Sequence, residues 1–454
     1  MELYKLLETF NGFLWCPVML VLLVGTGIYL NIALRFFSFR NWVRAYKCLW
    51  QGRSHQSEHG EISPWNALMT ALAADIGTGN VVGVALAIAV GGPGALFWMW
   101  VTALVGMMTK FSEVLLSVHF REKTPAGNWV GGAMYFIKNG LGPKWVWLGT
   151  SFAVFGICAC IGTGGMVQAK AITDNISGTF GLPAWLCGLI LVGLCVAVLL
   201  GGVRRIGAVA GKIVPFMAIM YVFMCLLIIG MNIEKVPSVF WWVISDAFQP
   251  TAATGGFVGA TVMMAIRLGV ARGLFSNESG LGSAPIAAAA ARTSQPVVQA
   301  LISMTQTFID TLVVCSMTGL VILVTGVWTS GKNGAPLTSY AFETGLPGEL
   351  GGLIVTIGII LFAYSTILGW SYYGEKAIEY LLGNKAIIPY RWAFIISVGL
   401  GASMKLDLVW TLSDIFNALM AFPNLIGLIM LTPVVKTETL AYLRSLKKEP
   451  TSEG

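Results

Sequence analysis

The stretch ALAADIGTGNVVGVALAIAV, residues 71–90, is apolar enough to lie in a bilayer, yet its middle holds Asp75, Asn80 and the glycines Gly77, Gly79 and Gly83. In hydrocarbon every backbone N–H and C=O needs a protein partner, so a helix with such breakers survives only where the break is buried or lines a cavity. A carboxylate at that depth costs roughly 2.5–3.5 kcal/mol and by default marks an ion or substrate path. Unwinding frees N–H groups at one half-helix, whose positive dipole end suits a carboxylate, and carbonyls at the other, which suit a small cation. Gly77 and Gly79 supply the dihedral freedom and let a ligand approach the backbone. For Asp75 a second reading stands beside the path, a structural partner such as Lys110, Lys170 or Arg267.

The rest of the chain has the same character. Of 454 residues 56% are hydrophobic and 11% charged, where soluble proteins carry about 25% charged. This is the composition of an all-α polytopic membrane protein, and the alternating ten-residue strands of a barrel are absent. Eleven spans are expected, near 13–34, 63–90, 95–119, 145–176, 183–202, 213–231, 256–289, 297–326, 351–382, 391–404 and 409–433. The first apolar run is too long for a signal-peptide core and lacks a basic lead, so it reads as a retained span.

With the amino terminus outside, the inner loops and carboxyl tail hold 20 of the 28 Lys and Arg, and the outer segments hold four, Lys5, Lys235, Lys332 and Lys405. That asymmetry predicts an outside start and a cytoplasmic end. It also accounts for the net charge of +7 without nucleic acid. The segment RFFSFRNWVRAYKCLW, residues 35–50, is amphipathic and basic, so lipid headgroup contact is a second reading of its cations beside orientation.

Other chemistries lack material. Cys158, Cys160, Cys187, Cys195, Cys225 and Cys315 lie in apolar runs without CxxC spacing and read as free buried thiols. The histidines, His55, His59 and His119, fall in a loop or at a helix end, which leaves the membrane interior without a zinc set or a histidine-activated nucleophile. Ser279 therefore lacks a base for hydrolysis, and GTGNVVG has the wrong spacing and no preceding strand for a dinucleotide fingerprint. The chain reads as a non-enzyme with no covalent cofactor.

A second interrupted stretch, RGLFSNESGLGSAP (272–285), lies five spans after the first. Because five is odd, a second five-helix unit enters from the opposite face, and matched interruptions in two inverted halves point to a midplane binding site. The expected organisation is an extra helix and basic segment (1–62), a first repeat (63–231), an extracellular connection (232–255), a second repeat (256–433) and a cytoplasmic tail (434–454). Arg267, Arg272 and Glu278 read as a structural ion-pair set. Asp310 and Gln306, one turn apart, either line the cavity or cap a neighbouring backbone.

The motifs IGTGNVVGVALAIAVGGPGALFWMWVTALVGMMTKFSE (76–113), FREKTPAGNWVGGAMYFIKNGLG (120–142), RGLFSNESGLGSAPIA (272–287) and AYSTILGWSYYGEKA (363–377) strongly resemble those of the alanine/glycine:cation symporter family. The resemblance implies the leucine-transporter fold, two inverted five-helix repeats preceded by one extra helix, and sodium-coupled uptake of alanine or glycine across the plasma membrane. It implies that Gly77, Thr78 and Gly79 present N–H groups and a hydroxyl to the substrate carboxylate, that Leu274, Phe275, Ser276 and Asn277 offer carbonyls and polar groups to its ammonium, and that Gln168 reaches the same pocket, with Asp75 counted in the substrate set. A sodium site maps to the carbonyls of Ala73 and Ile76 and the hydroxyls of Ser365 and Thr366, hard oxygen donors of the kind such a cation needs. Asn80 aligns with a residue serving a second sodium. A larger substrate such as glutamine, or proton coupling through Asp75, is the runner-up, and a channel is the more distant rival.

Overall fold

A computed structural model of the chain describes residues 2–15, 17–51, 60–249, 261–346, 350–404 and 407–448. His55, His59, Lys405, residues 250–260 of the expected connection and seventh span, and the tail beyond 448 lie outside the described residues.

The chain opens with α1 (Tyr4–Ala33), turns at Arg35 and Phe36, both left-handed at φ 53° and 55°, and forms the short α2 (Trp42–Gln51). Ser63 then starts α3 (Pro64–Asp75): its hydroxyl accepts the Asn66 N–H at 3.1 Å while Pro64 fills the first helical position, where a missing N–H costs nothing. After the interruption α4 (Gly79–Gly91) leaves at 49° to α3. There follow α5 (Gly94–His119), a two-residue hairpin of β1 (Glu122–Lys123) and β2 (Trp129–Val130), α6 (Pro143–Phe180), α7 (Ala184–Leu199) and α8 (Gly202–Met231). The second half contributes α9 (Val262–Asn277), α10 (Pro296–Val324), α11 (Gly351–Leu382), α12 (Asn384–Ser403) and α13 (Leu408–Leu446).

Among the described residues eight helices, α1, α5, α6, α8 and α10 to α13, are long and apolar enough to cross a membrane, and the bent pair α3 and α4 makes a ninth. Helices α7 and α9, at 16 residues each, fall short of the roughly 20 a full crossing takes. Helix α13 runs for 39 residues and passes without a break over the boundary expected at 433 and 434. At 1.5 Å per residue it is about 58 Å long, so its end stands well clear of a 30 Å hydrocarbon core.

Helix α8 illustrates how the bundle faces lipid. Phe216, Ile219, Phe223 and Leu226 are exposed while Met217, Tyr221, Cys225 and Ile228 are buried, two faces of one 3.6-residue period. Inside, small residues set the spacing between helices. A Cβ on Gly369 of α11 would come 2.7 Å from the Ala74 nitrogen of α3, so only glycine lets these two backbones meet. The seven described cysteines are free thiols.

Three helices widen into π-helical turns, at Gly79–Gly83, at Cys160–Met166 within α6 and at Phe308–Cys315 within α10. Such turns disturb the regular hydrogen-bond ladder and recur at functional sites.

Candidate functional site

The first interruption is local and complete. Helix α3 keeps its last regular bond, Ile76 N–H to Leu72 carbonyl at 2.8 Å, and Ile76 itself turns extended at ψ 91°. In a continuous helix the Gly77 N–H would bond the Ala73 carbonyl; here it donates to Asn80 Oδ1 at 2.8 Å. Asn80 thus caps the start of α4 with its own side chain, and the Ala73 carbonyl is released from its helical partner. Of the three residues expected to present N–H groups, Gly77 has its N–H engaged, while the buried Thr78 hydroxyl has no partner among the described residues.

Helix α11 closes on this gap. Ser365 Oγ lies 3.5 Å and Thr366 Oγ1 3.4 Å from the Ile76 carbonyl, and each hydroxyl also donates to the Phe362 carbonyl, at 2.8 and 2.9 Å. The one-turn back-bonding common for such residues in membrane helices and convergence on the interruption therefore occur together. A Cβ on Gly77 would collide with Thr366 Oγ1.

The second interruption starts later than the motif suggested. Leu274, Phe275, Ser276 and Asn277 are all helical, and α9 ends at Glu278, held left-handed at φ 53°. The Leu274 carbonyl is taken by the Glu278 N–H at 2.9 Å. Beyond it the ladder fails: the Ser279 N–H goes to Asn277 Oδ1 at 3.0 Å and the Gly280 N–H to Glu113 Oε1 at 3.0 Å, which releases the carbonyls of Phe275 and Ser276 from helical partners. The side chains of Ser276 and Asn277 face α10, donating to Asp310 Oδ2 at 2.8 Å and to Thr311 Oγ1 at 3.1 Å. The expected ion-pair set of Arg267, Arg272 and Glu278 does not form among the described residues, because Glu278 accepts from Ser283 instead and Arg272 lies over the Phe275 ring at 5.8 Å.

Asp310 ties the two interruptions together. Its carboxylate accepts Asn80 Nδ2 at 2.6 Å from the first, Ser276 Oγ from the second, and Thr311 Oγ1 at 2.7 Å. Four carboxylates, Asp75, Glu113, Glu278 and Asp310, and one cation, Lys110, are buried together in this region. Gln306 donates to Asp75 Oδ2, whereas Asp75 Oδ1 has no donor among the described residues. Of the partners weighed for Asp75, Lys110 bears on it electrostatically, and Lys170 is paired instead with Asp174 at 2.6 Å.

A small cavity of about 10 Å³ sits where these pieces meet, room for about one water. Its walls include Asp75, Gly77, Thr78, Gly79, Gln168, Phe275 and Thr366 from the expected set, with Thr163, Glu278, Trp370 and Asn417 added. Leu274, Ser276, Asn277, Ala73, Ile76, Asn80 and Ser365 do not line it. Two unpartnered oxygens, Gln168 Oε1 and Asn417 Oδ1, join Asp75 Oδ1 and the Thr78 hydroxyl around it among the described residues. Phe275 also lines a neighbouring crevice of about 310 Å³ with Arg267, Arg272 and Asp414. A larger vestibule of about 1240 Å³ is lined in part by Val82 and by Val167, next in sequence to Gln168.

A sequence model described as the sodium:alanine symporter family matches residues 1–453. The chain belongs to that family. It is 47% identical over 455 residues to the sodium/alanine symporter AgcS of Methanococcus maripaludis, covering 99% of both chains. It is 50% identical over 449 residues to an uncharacterized transporter of Haemophilus influenzae, with 98% of each covered. The probable sodium/glutamine symporter GlnT of Bacillus subtilis is 36% identical over 97% of this chain and 91% of its own. Among solved structures, MhsT in complex with L-phenylalanine superposes with a TM-score of 0.56 at 11% identity, over 82% of this chain and 90% of that one. A Na⁺-coupled sialic acid symporter in its substrate-bound outward-open state gives 0.55 at 13%, over 89% and 86%.

The symporter is therefore a multi-pass membrane protein with the fold of these transporters and a sodium-coupled amino-acid carrier, not an enzyme. Its interior fits that chemistry. Released carbonyls and paired hydroxyls are hard, neutral donors for a small cation. Outside the membrane core, Arg121 holds the chain after Pro285–Ala289 by donating to the Ala289 and Ala291 carbonyls at 2.9 and 2.8 Å. Burial pushes its guanidinium down to about 10, which leaves it charged at neutral pH.

Proposed function

We propose that the protein takes up a small neutral amino acid, alanine or glycine, by sodium symport and alternating access. In this reading eleven spans form two inverted five-helix repeats, 63–231 and 256–433, after one extra helix, with the amino terminus outside and the carboxyl terminus in the cytoplasm. The observation that carries it is the meeting of the Ile76 carbonyl with Ser365 and Thr366 beside a cavity walled by the same interruption.

Sodium binds there, with the released Ala73 carbonyl completing the set, and Asn80 serves a second ion next to the substrate. The substrate carboxylate meets the Gly77–Thr78–Gly79 segment through Thr78, Gly79 and Gln168. Its ammonium meets Asp75 and the released carbonyls around Phe275. The small volume and the Trp370 ring favour a substrate with little or no side chain, since each added methylene requires further widening. Under the proposed orientation the vestibule and the Phe275 crevice open to the outside.

Sodium and substrate share one wall, so each raises the affinity of the other by the same factor. With a neutral zwitterion, each sodium carries one net charge inward, worth about 2.3 kcal/mol per 100 mV, or roughly 50-fold accumulation per ion. The test is uptake of labelled alanine, glycine and glutamine into proteoliposomes under imposed sodium or proton gradients. Alanine or glycine uptake driven by sodium is expected, and equal rates without sodium would overturn the reading. The resemblance to a probable glutamine symporter supports a second reading, which the same assay separates by the glutamine rate.

A further inference from the structure

A cleft of about 350 Å³ lies away from the transport site, between the end of α1 and the projecting end of α13. Its lining combines apolar residues, among them Leu34, Phe37 and Leu440, with the cations Arg35, Arg40 and Lys436. No carboxylate lines it. Among the described residues none of these three cations has a side-chain hydrogen bond or ion pair. The acid closest in sequence, Glu438, is drawn off to His119 at 3.7 Å. Three unpaired like charges around one cleft repel each other unless an anion joins them.

The surroundings specify which anion. Arg35, in the cleft wall, and Phe36 beside it are consecutive left-handed residues, a conformation that costs energy in non-glycine residues and persists only where its surroundings hold it. This turn leaves Phe36 and Phe39 52% and 43% exposed, and the exposed face continues along α2 through Val43, Tyr46 and Trp50. Trp42, one turn before Tyr46 and edge-on to its ring at 5.0 Å, anchors that segment by packing on Phe308 at 4.7 Å. Aromatic and basic residues alternating on an amphipathic segment next to a spanning helix are the composition of a bilayer interface. A free phosphate would find the charges but no use for the apolar wall.

We propose that this cleft binds an anionic phospholipid, with the phosphate between Arg35, Arg40 and Lys436 and an acyl chain along Leu34, Phe37 and Leu440. The lipid clamps the end of α13 to α1 and so fixes one end of a helix whose other part, at Asn417, walls the transport cavity.

The experiment uses the full-length protein in detergent, titrated with phosphatidylglycerol or phosphatidylcholine, with retained lipid counted by native mass spectrometry and unfolding followed by thermal melt. Wild type is expected to retain one phosphatidylglycerol in preference to phosphatidylcholine and to melt higher with it. Arg35→Gln/Arg40→Gln/Lys436→Gln should weaken that retention about 100-fold, on the order of fivefold per cation. Lys47→Gln/Arg444→Gln, which removes two cations outside the cleft, should leave it unchanged. Leu440→Trp, which fills the apolar wall and keeps every charge, should also weaken it and stands in if the triple variant does not fold. Equal retention by wild type and both cleft variants, equal loss in the control pair, or the same stabilisation from inorganic phosphate alone would each overturn the proposal.

Discussion

Ser365 and Thr366 each divide their hydroxyl between the Phe362 carbonyl and the Ile76 carbonyl. If the second partner is replaced by sodium in the working carrier, Ser365→Ala/Thr366→Val should raise the half-saturating sodium concentration at least about tenfold, the loss usual when a metal site is stripped of support. The melting temperature should barely move. Sodium-dependence curves in proteoliposomes check this, and an unchanged curve removes the sodium assignment. Asp310 should behave in the opposite way. Asp310→Ala takes the carboxylate acceptor from Asn80, Ser276 and Thr311, leaving Asn80 and Ser276 with longer contacts such as those to Cys315 Sγ at 3.3 and 3.2 Å, and should destabilise by about 1–3 kcal/mol. Asp310→Asn keeps an acceptor and should cost less; a melt that ranks the two the other way contradicts the network. Asp75 stood out in the sequence because a charged group in an apolar run needs an explanation, whereas Thr78 and Gln168 were reached only through the resemblance of their motifs to a known family. Asn417 was legible in neither way, since its contact, Thr163 Oγ1 at 3.0 Å, lies 254 positions away and a lone asparagine in an apolar span carries no partner in its spacing.

Between elements, the fit of α11 on α3 depends on missing side chains. Gly77→Ala puts a methyl group into Thr366 Oγ1, and overpacking of this kind costs about 1–3 kcal/mol. The variant is expected to fold, to lose most sodium-driven uptake and to regain part of it when combined with Thr366→Ser; a fully active single variant would show that this approach is not needed. The same scale explains why one interruption was read correctly and the other shifted. At the first, Gly77 and Gly79 flank the point where the helix stops. At the second, the glycine at 273 lies inside α9, where an added Cβ would meet the Met99 Cα at 3.4 Å, and the chain turns at Gly280 and Gly282, with φ of 94° and 81°. Glycine in a helix interior and glycine in a turn look alike in a sequence; the conformation at Glu278 separates them. Helix lengths were the least legible feature, because residues before and after an apolar run continue as helix once neighbours pack on them, as at the end of α13.

For the whole molecule, the vestibule gives the proposed orientation a direct check. Ser339 lines it, so Ser339→Cys should react with a membrane-impermeant thiol reagent added outside intact cells and should slow when sodium and substrate close the carrier around their site. Reaction only after the inner face is opened to the reagent would reverse the assigned topology. The shared carboxylate of Asp310 has a further consequence at this scale. Asn80 and Ser276 hang from its two oxygens, one per half of the chain, so neither half-helix shifts without straining the other. In the proposed cycle, a carrier linked in this way is expected to pass readily when both passengers are aboard or both have left, and to resist passing with one. Loosening the link with Asp310→Asn should then let the ion gradient drain with no nutrient gained, which sodium leak into substrate-free proteoliposomes checks.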